Sequence, residues 1–245
     1  MLRLLFAGTR TGSFAVIMSY DTDYSTLLDL FIRLVQSQAG KKIEPGGEWL
    51  NDAQTLAVKL FRHLVSMQTL AAGATVEQDG VPTVFFVDHA SVKVVARAAL
   101  ETYLVFFYLY GGPDRALSEF RHKTWHLGGL ADRQQFHTST DEHRAVLTSE
   151  KQRIDQLKAE IESSPHIQAY AGKQHAKLLE GEWRIGKGWS DLSANAGFHA
   201  KYFKNIYGYL CGYSHSSYLS ALQVRQAQSI EDQQMLTESI LGIGV

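Results

Sequence analysis

Cysteine is almost missing from this chain: Cys211 is the only one in 245 residues. No internal disulfide can form, the paired-cysteine zinc spacings are impossible, and a reducing compartment, the cytoplasm, is the expected setting. A charge bias is missing too. The formal net charge is -1, which gives no bulk electrostatic argument for nucleic acid or an anionic membrane, although a locally basic cleft stays open. No stretch reaches the roughly 18–20 uninterrupted apolar residues that span a bilayer; the longest, Thr102 to Pro113, is too short. Glycine-rich phosphate loops, a nucleophile elbow and internal repeats are absent as well.

With 45% hydrophobic and 20% charged residues, the composition is that of a globular chain long enough for a substantial core. Residues 1–20 match no targeting class, because Arg10 and Gly12 interrupt the apolar stretch. They are read as a poorly ordered or non-native extension, with the true start at Met1 or Met18 left open. Residues 21–245 are read as a single helical domain.

The apolar periodicity is helical almost throughout, so the expected fold is an all-α, bundle-like domain. Asp21 or Asp23 suits the cap of a first helix closing near Gly40. A second helix runs from about Trp49 to Ala72, with Gly73 as its C-cap. A third, ending at Gly111 and Gly112, is followed by Pro113 in the first turn of a fourth. Gly128 and Gly129 are expected to kink or end that fourth helix. Ser139 to Glu142 has capping-box spacing and opens a charged helical arm stopped by Pro165. Residues 165–195 read as a long irregular loop, and two or three helices complete the chain. Val81 to Val87 is the lone strand candidate, and it reads equally well as a helix start.

Within the third helix, VKVVARAALETYLVFFYLY carries three charges: Lys93, Arg97 and Glu101, at i, i+4 and i+8. Their face continues into Leu104, Val105 and Tyr108, so Arg97 and Glu101 are expected to be mostly buried and paired. Near the C-terminus, YFKNIYGYLCGYSHSS places Tyr202, Ile206, Tyr209 and Tyr213 on one helical face. Gly208 and Gly212 lie on the opposite side, where close helix contact is expected. His215 falls past the break expected at Gly212, where an imidazole can serve as acid or base.

These motifs resemble a prokaryotic family of helical proteins of unknown function, over roughly residues 80–220. The resemblance implies no reaction; it implies that Arg97, Glu101, Tyr207, Ser214 and His215 are the positions of interest. Helical nucleases of the HEPN type leave four to six residues between an Arg and a following His, as Arg121–His126 and Arg115–His122 do here. Chance alone supplies about 1.5 such matches, so the pattern decides nothing, and Arg121, His122 and His126 are read as partly exposed. Glu119 and His122 form one Glu-x-x-His where a di-metal bundle needs two, so no metal or cofactor is expected. Trp183-Arg184 to Trp189 interleaves cations with aromatics, as single-strand binders do, but with a near-neutral overall charge it is read in preference as a long loop pinned to the core by its two indoles.

Two functional readings follow. One is a non-enzymatic interaction or structural module whose buried polar cluster fixes helix register. The other is a hydrolase resembling a ribonuclease, with catalytic Arg97, Glu101 and His215 and binding residues Tyr207, Ser214, Trp183 and Arg184 on a phosphodiester. The partner is RNA or protein, the membrane is not one, and homo-oligomerisation is left open.

Overall fold

A computed structural model describes the backbone of residues 13–244 and the side chains of residues 22–242. The extension expected at residues 1–20 lies outside the described side chains. Helices dominate: α1 (Ser13–Gln38), α2 (Asn51–Ala71), α3 (His89–Tyr110), α4 (Arg115–Gln134), α5 (Asp141–Glu162), α6 (Lys173–Leu179), α7 (Trp189–Asn195), α8 (Ala200–Ser214), α9 (Tyr218–Gln226) and α10 (Ile230–Gly244). Among the described residues the sheet content is one antiparallel hairpin, β1 (Ala74–Gln78) and β2 (Val81–Phe86). The fold is mostly all-α. No helix among the described residues is long and apolar enough to cross a membrane.

Two compact units emerge, one holding residues 54–103 and 201–245 together with the N-terminal segment to 44, the other residues 45–53 and 104–200. In the first, Tyr24 and Leu28 of α1, Leu64 and Met67 of α2, Val92, Ala96 and Ala99 of α3, Leu210 of α8 and Ile240 and Leu241 of α10 make the core. Tyr24 is fully buried, and its hydroxyl donates to the Leu64 carbonyl at 2.8 Å. In the second, Phe120, Leu127 and Leu130 of α4 meet Leu157 and Ile161 of α5, Leu178 of α6 and Ile185. The charged arm α5 therefore packs along one side only, as its narrow apolar stripe requires.

Several local expectations need correction. α1 starts upstream of Asp21 and Asp23, so neither caps it. Pro113 precedes the N-cap of α4, where the Asp114 side chain accepts from the Leu117 amide. Thr140, rather than Ser139, caps α5. α4 runs unbroken through Gly128 to Gln134. Gly128 serves packing: a Cβ there would lie 2.6 Å from the Gly181 carbonyl oxygen and 2.8 Å from the Trp183 ring. The irregular stretch 165–195 contains a 3-10 turn at Pro165–Ala169 as well as α6 and α7. The strand candidate at Val81–Val87 is β2, and it pairs with β1, which was not expected, across a turn at Asp79-Gly80 with Gly80 at φ +77°.

Candidate functional site

The three charges of α3 do different jobs. Lys93 is fully buried. Its Nζ donates to the carbonyls of His89 and Leu236, both at 3.1 Å, and lies 3.1 Å from His89 Nδ1. It also sits 4.7 Å from the centre of the Tyr213 ring, a cation–π arrangement. Burial pushes its pKa down to about 7, against the opposing charge of Asp88. Burial and the Lys93 charge push His89 down to about 4. The Tyr213 and Tyr209 hydroxyls both donate to Gln223 Oε1, at 2.6 and 3.1 Å. Here a polar cluster locks α3, α8, α9 and α10 in register.

One turn further along α3 the environment changes. The Arg97 and Glu101 side chains keep 21% and 25% of their surface in solvent, so they are mostly covered but reach the edge of the core. Arg97 Nε donates to Glu101 Oε1 at 3.0 Å. The same carboxylate oxygen accepts from the Tyr207 hydroxyl at 2.7 Å. Arg97 Nη1 lies 3.1 Å from Nε2 of the exposed His215 ring, and its guanidinium carbon stands 5.5 Å from the centre of the Tyr207 ring. Burial works against the Arg97 charge, but the Tyr207 and Glu101 partners outweigh it and raise its pKa. Burial and the hydrogen bond to Glu101 raise the Tyr207 hydroxyl as well.

Arginine can only donate, so His215 Nε2 can only accept in this contact. The result is a relay from Tyr207 to Glu101 to Arg97 to His215, open to solvent at its histidine end.

Local sequence explains how α8 presents this end. Tyr209, Leu210 and Tyr213 turn inward, which leaves Tyr207 and Cys211 toward the opposite side. The helix continues past Gly212 to Ser214, so the break expected at Gly212 is absent. His215 is the C-cap residue of a Schellman turn: the Ser217 amide donates to the Gly212 carbonyl at 2.8 Å and the Ser216 amide to the Tyr213 carbonyl at 3.4 Å. Ser216 occupies the left-handed position at φ +52°. Gly212 is needed because a Cβ there would lie 2.9 Å from Ser217 Oγ, the hydroxyl that caps α9. Gly208 meets nothing within 4 Å, so neither glycine mediates the helix contact expected of it. Ser216→Gly should stabilise the protein by about 1 kcal/mol, since glycine tolerates the left-handed region. Urea denaturation measures this, and an unchanged midpoint would contradict the turn geometry.

Ser214 does not join the relay; its hydroxyl returns to the Leu210 carbonyl at 3.3 Å. Trp183 and Arg184 belong to the other unit. The Arg184 guanidinium lies 4.4 Å from the Trp189 ring centre and 5.3 Å from that of Trp183, while Trp183 packs 5.7 Å from Tyr108. That segment is a loop pinned by its indoles. His122, expected to be partly exposed, is buried, with Nε2 2.8 Å from Asp52 Oδ2 and its ring 5.8 Å from Trp49. Among the described residues no three His, Cys, Asp or Glu side chains are grouped to hold a metal ion. Asp52 went unnoticed in the sequence, and Cys211 was noted there only as the lone cysteine. Cys211 is close enough to Arg97 and Tyr207 to act on both electrostatically. Its signal was its position four residues before His215.

The relay sits inside a recognised sequence unit. Residues 54–233 match the model of a family of unknown function, DUF5677, and the chain belongs to that family. No curated protein and no solved structure matches the chain.

Proposed function

We propose that this protein is a phosphodiester-cleaving enzyme acting on RNA, with Arg97 and His215 as its reacting pair. The observation that supports this most is the 3.1 Å approach of the Arg97 guanidinium to an imidazole nitrogen of His215 at a solvent-open edge. A polar cluster that only fixed register would be sealed, as the Lys93 cluster is. This one is accessible, and it combines an anion-stabilising cation with a base.

The chemistry follows from the contacts. An arriving phosphate competes with Nε2 for Arg97 Nη1. Once the guanidinium turns to the phosphate, the Nε2 lone pair is uncovered beside it. It takes the proton of the ribose 2′-hydroxyl as that oxygen attacks phosphorus. The 2′-O–P bond forms, the P–O5′ bond breaks, and the departing 5′ oxygen takes a proton from water. His215 then returns its proton to solvent. One base suits a substrate that carries its own nucleophile, which favours RNA over DNA. Glu101 and Tyr207 hold the guanidinium and act as positioning residues. A cytoplasmic setting belongs to the same proposal and is supported by the lone cysteine.

A second reading, a protein-interaction module, is favoured by the apolar hairpin, whose Val76, Val81, Val84 and Phe85 are exposed. An unstructured, end-labelled RNA decides between them. Fragments ending in a 2′,3′-cyclic phosphate, lost in Arg97→Met and His215→Gln and retained in Lys41→Gln, support the enzyme. Intact RNA, or cleavage unchanged by both substitutions, overturns it.

A further inference from the structure

We infer that the face of α8 opposite Tyr209 and Tyr213 is a track for the sugar–phosphate backbone of single-stranded RNA, leading from Lys201 past Lys204 and the bare backbone at Gly208 to His215. The inference rests on the reading of Arg97 and His215 as the cleaving pair and names the substrate contacts that feed it. At 100° per residue, Lys201, Lys204, Gly208, Cys211 and His215 fall within one narrow arc of the helix. Four of the five are exposed and Cys211 is half-buried. Tyr209 and Tyr213 face the other way, toward Gln223 and the Lys93 cluster.

Three features of this arc point to an anionic strand. First, α8 carries no acidic residue, whereas the chain as a whole is slightly negative. Among the described residues neither Lys201 nor Lys204 pairs with a carboxylate, so both ammonium groups face solvent.

Second, Gly208 has no structural reason to be glycine. It lies inside a helix, its φ is outside the left-handed region, and an added Cβ would meet nothing within 4 Å. Glycine weakens a helix interior relative to alanine, so its place here is unexplained by folding. What it does provide is uncovered backbone two turns before His215 on the same face, where a ligand can approach more closely than any side chain would allow.

Third, the arc ends at the Arg97 guanidinium, bonded to His215. From Lys201 to His215 the helix rises about 20 Å, a length suited to several nucleotides of extended strand.

The test separates binding from cleavage by using a fluorescent 2′-deoxy 12-mer, which has phosphates but no 2′-hydroxyl to attack. Anisotropy titrations at several salt concentrations are compared for wild type, Lys201→Gln/Lys204→Gln, Gly208→Leu and the control Lys41→Gln/Lys42→Gln. The lysine pair on α8 is expected to weaken binding at least tenfold and to flatten the log K against log salt slope by about 1.4, two phosphate contacts on a single strand. Gly208→Leu should weaken binding at least tenfold while its melting temperature holds or rises. Gly208→Ala should raise the melting temperature, as open space at that position requires. Alkylation of Cys211, the single thiol, should slow when the 12-mer is bound in wild type. Equal affinity and slope for wild type and the α8 lysine pair overturn the track, and so does wild-type binding by Gly208→Leu. Binding that depends on the α8 lysines in a protein that leaves RNA uncut supports the track and sinks the catalytic reading alone. RNA cleavage that ignores those lysines does the reverse.

Discussion

Replacing Lys93 with methionine is expected to make the protein more stable at pH 7 and to abolish most of its stability gain between pH 7 and 9. The lysine is fully buried and its pKa is pushed down to about 7. In the unfolded chain the same ammonium loses its proton near pH 10.4. Between those values the unfolded state holds more protons, so raising the pH favours the folded state, by at most about 1.4 kcal/mol per pH unit. Stability from this group is complete above the unfolded value, is lost as pH falls toward 7, and changes little below that. His89, pushed down to about 4, adds a second loss between pH 6.5 and 4. Methionine matches the length of the buried stem without a charge to desolvate, so a gain of about 1–2 kcal/mol at pH 7 is expected despite the lost contacts to His89 and Leu236. Lys93→Ala should instead lose about 2–4 kcal/mol, because it leaves a cavity. Urea denaturation at pH 7, 8 and 9 checks all three. A slope in Lys93→Met equal to that of wild type would show that another group carries the pH dependence.

The same residue shows where reading the sequence stops. Lys93, Arg97 and Glu101 share a face by i+4 spacing, but each four-residue step turns about 40° around the helix. Over two steps the drift reaches about 80°, enough to carry Lys93 under α10 while Glu101 stays at the rim. Periodicity revealed the helices and the Arg97–Glu101 pair, since both depend on contacts within a turn or two. It also brought His215 to attention as the end of a helix whose tyrosines must be covered. β2 stood only as an ambiguous candidate and β1 was missed, although Asp79-Gly80 is a strong turn signal, because both strands are exposed and lack the alternation that marks a half-buried strand. Gly128 looked like a helix breaker, but its meaning lies in the approach of Gly181, more than fifty residues away. Asp52 and His122 meet across a separation of 70 positions, a distance over which single-sequence patterns carry no information.

If the relay is catalytic, His215→Gln should reduce RNA cleavage by about 10²–10⁴-fold while leaving the melting temperature nearly unchanged. Glutamine can still accept from Arg97 through its amide oxygen, but it cannot take up a proton, so the substitution isolates basicity from hydrogen bonding. The ring is exposed, and its removal leaves no cavity in the core. Arg97→Lys keeps the charge but loses the rigid fork that reaches Glu101 and His215 together, so a loss of at least about 10²-fold is expected. Glu101→Gln and Tyr207→Phe act through Arg97. Tyr207→Phe removes one hydrogen bond to Glu101 Oε1 and should lower the rate about tenfold through a less fixed guanidinium. Because Arg97 and His215 work as a unit, Arg97→Lys/His215→Gln should be hardly slower than the worse single variant. Strictly multiplicative losses would mean that the two residues act independently, and a His215→Gln protein retaining more than about a tenth of wild-type cleavage would remove the histidine from the reaction.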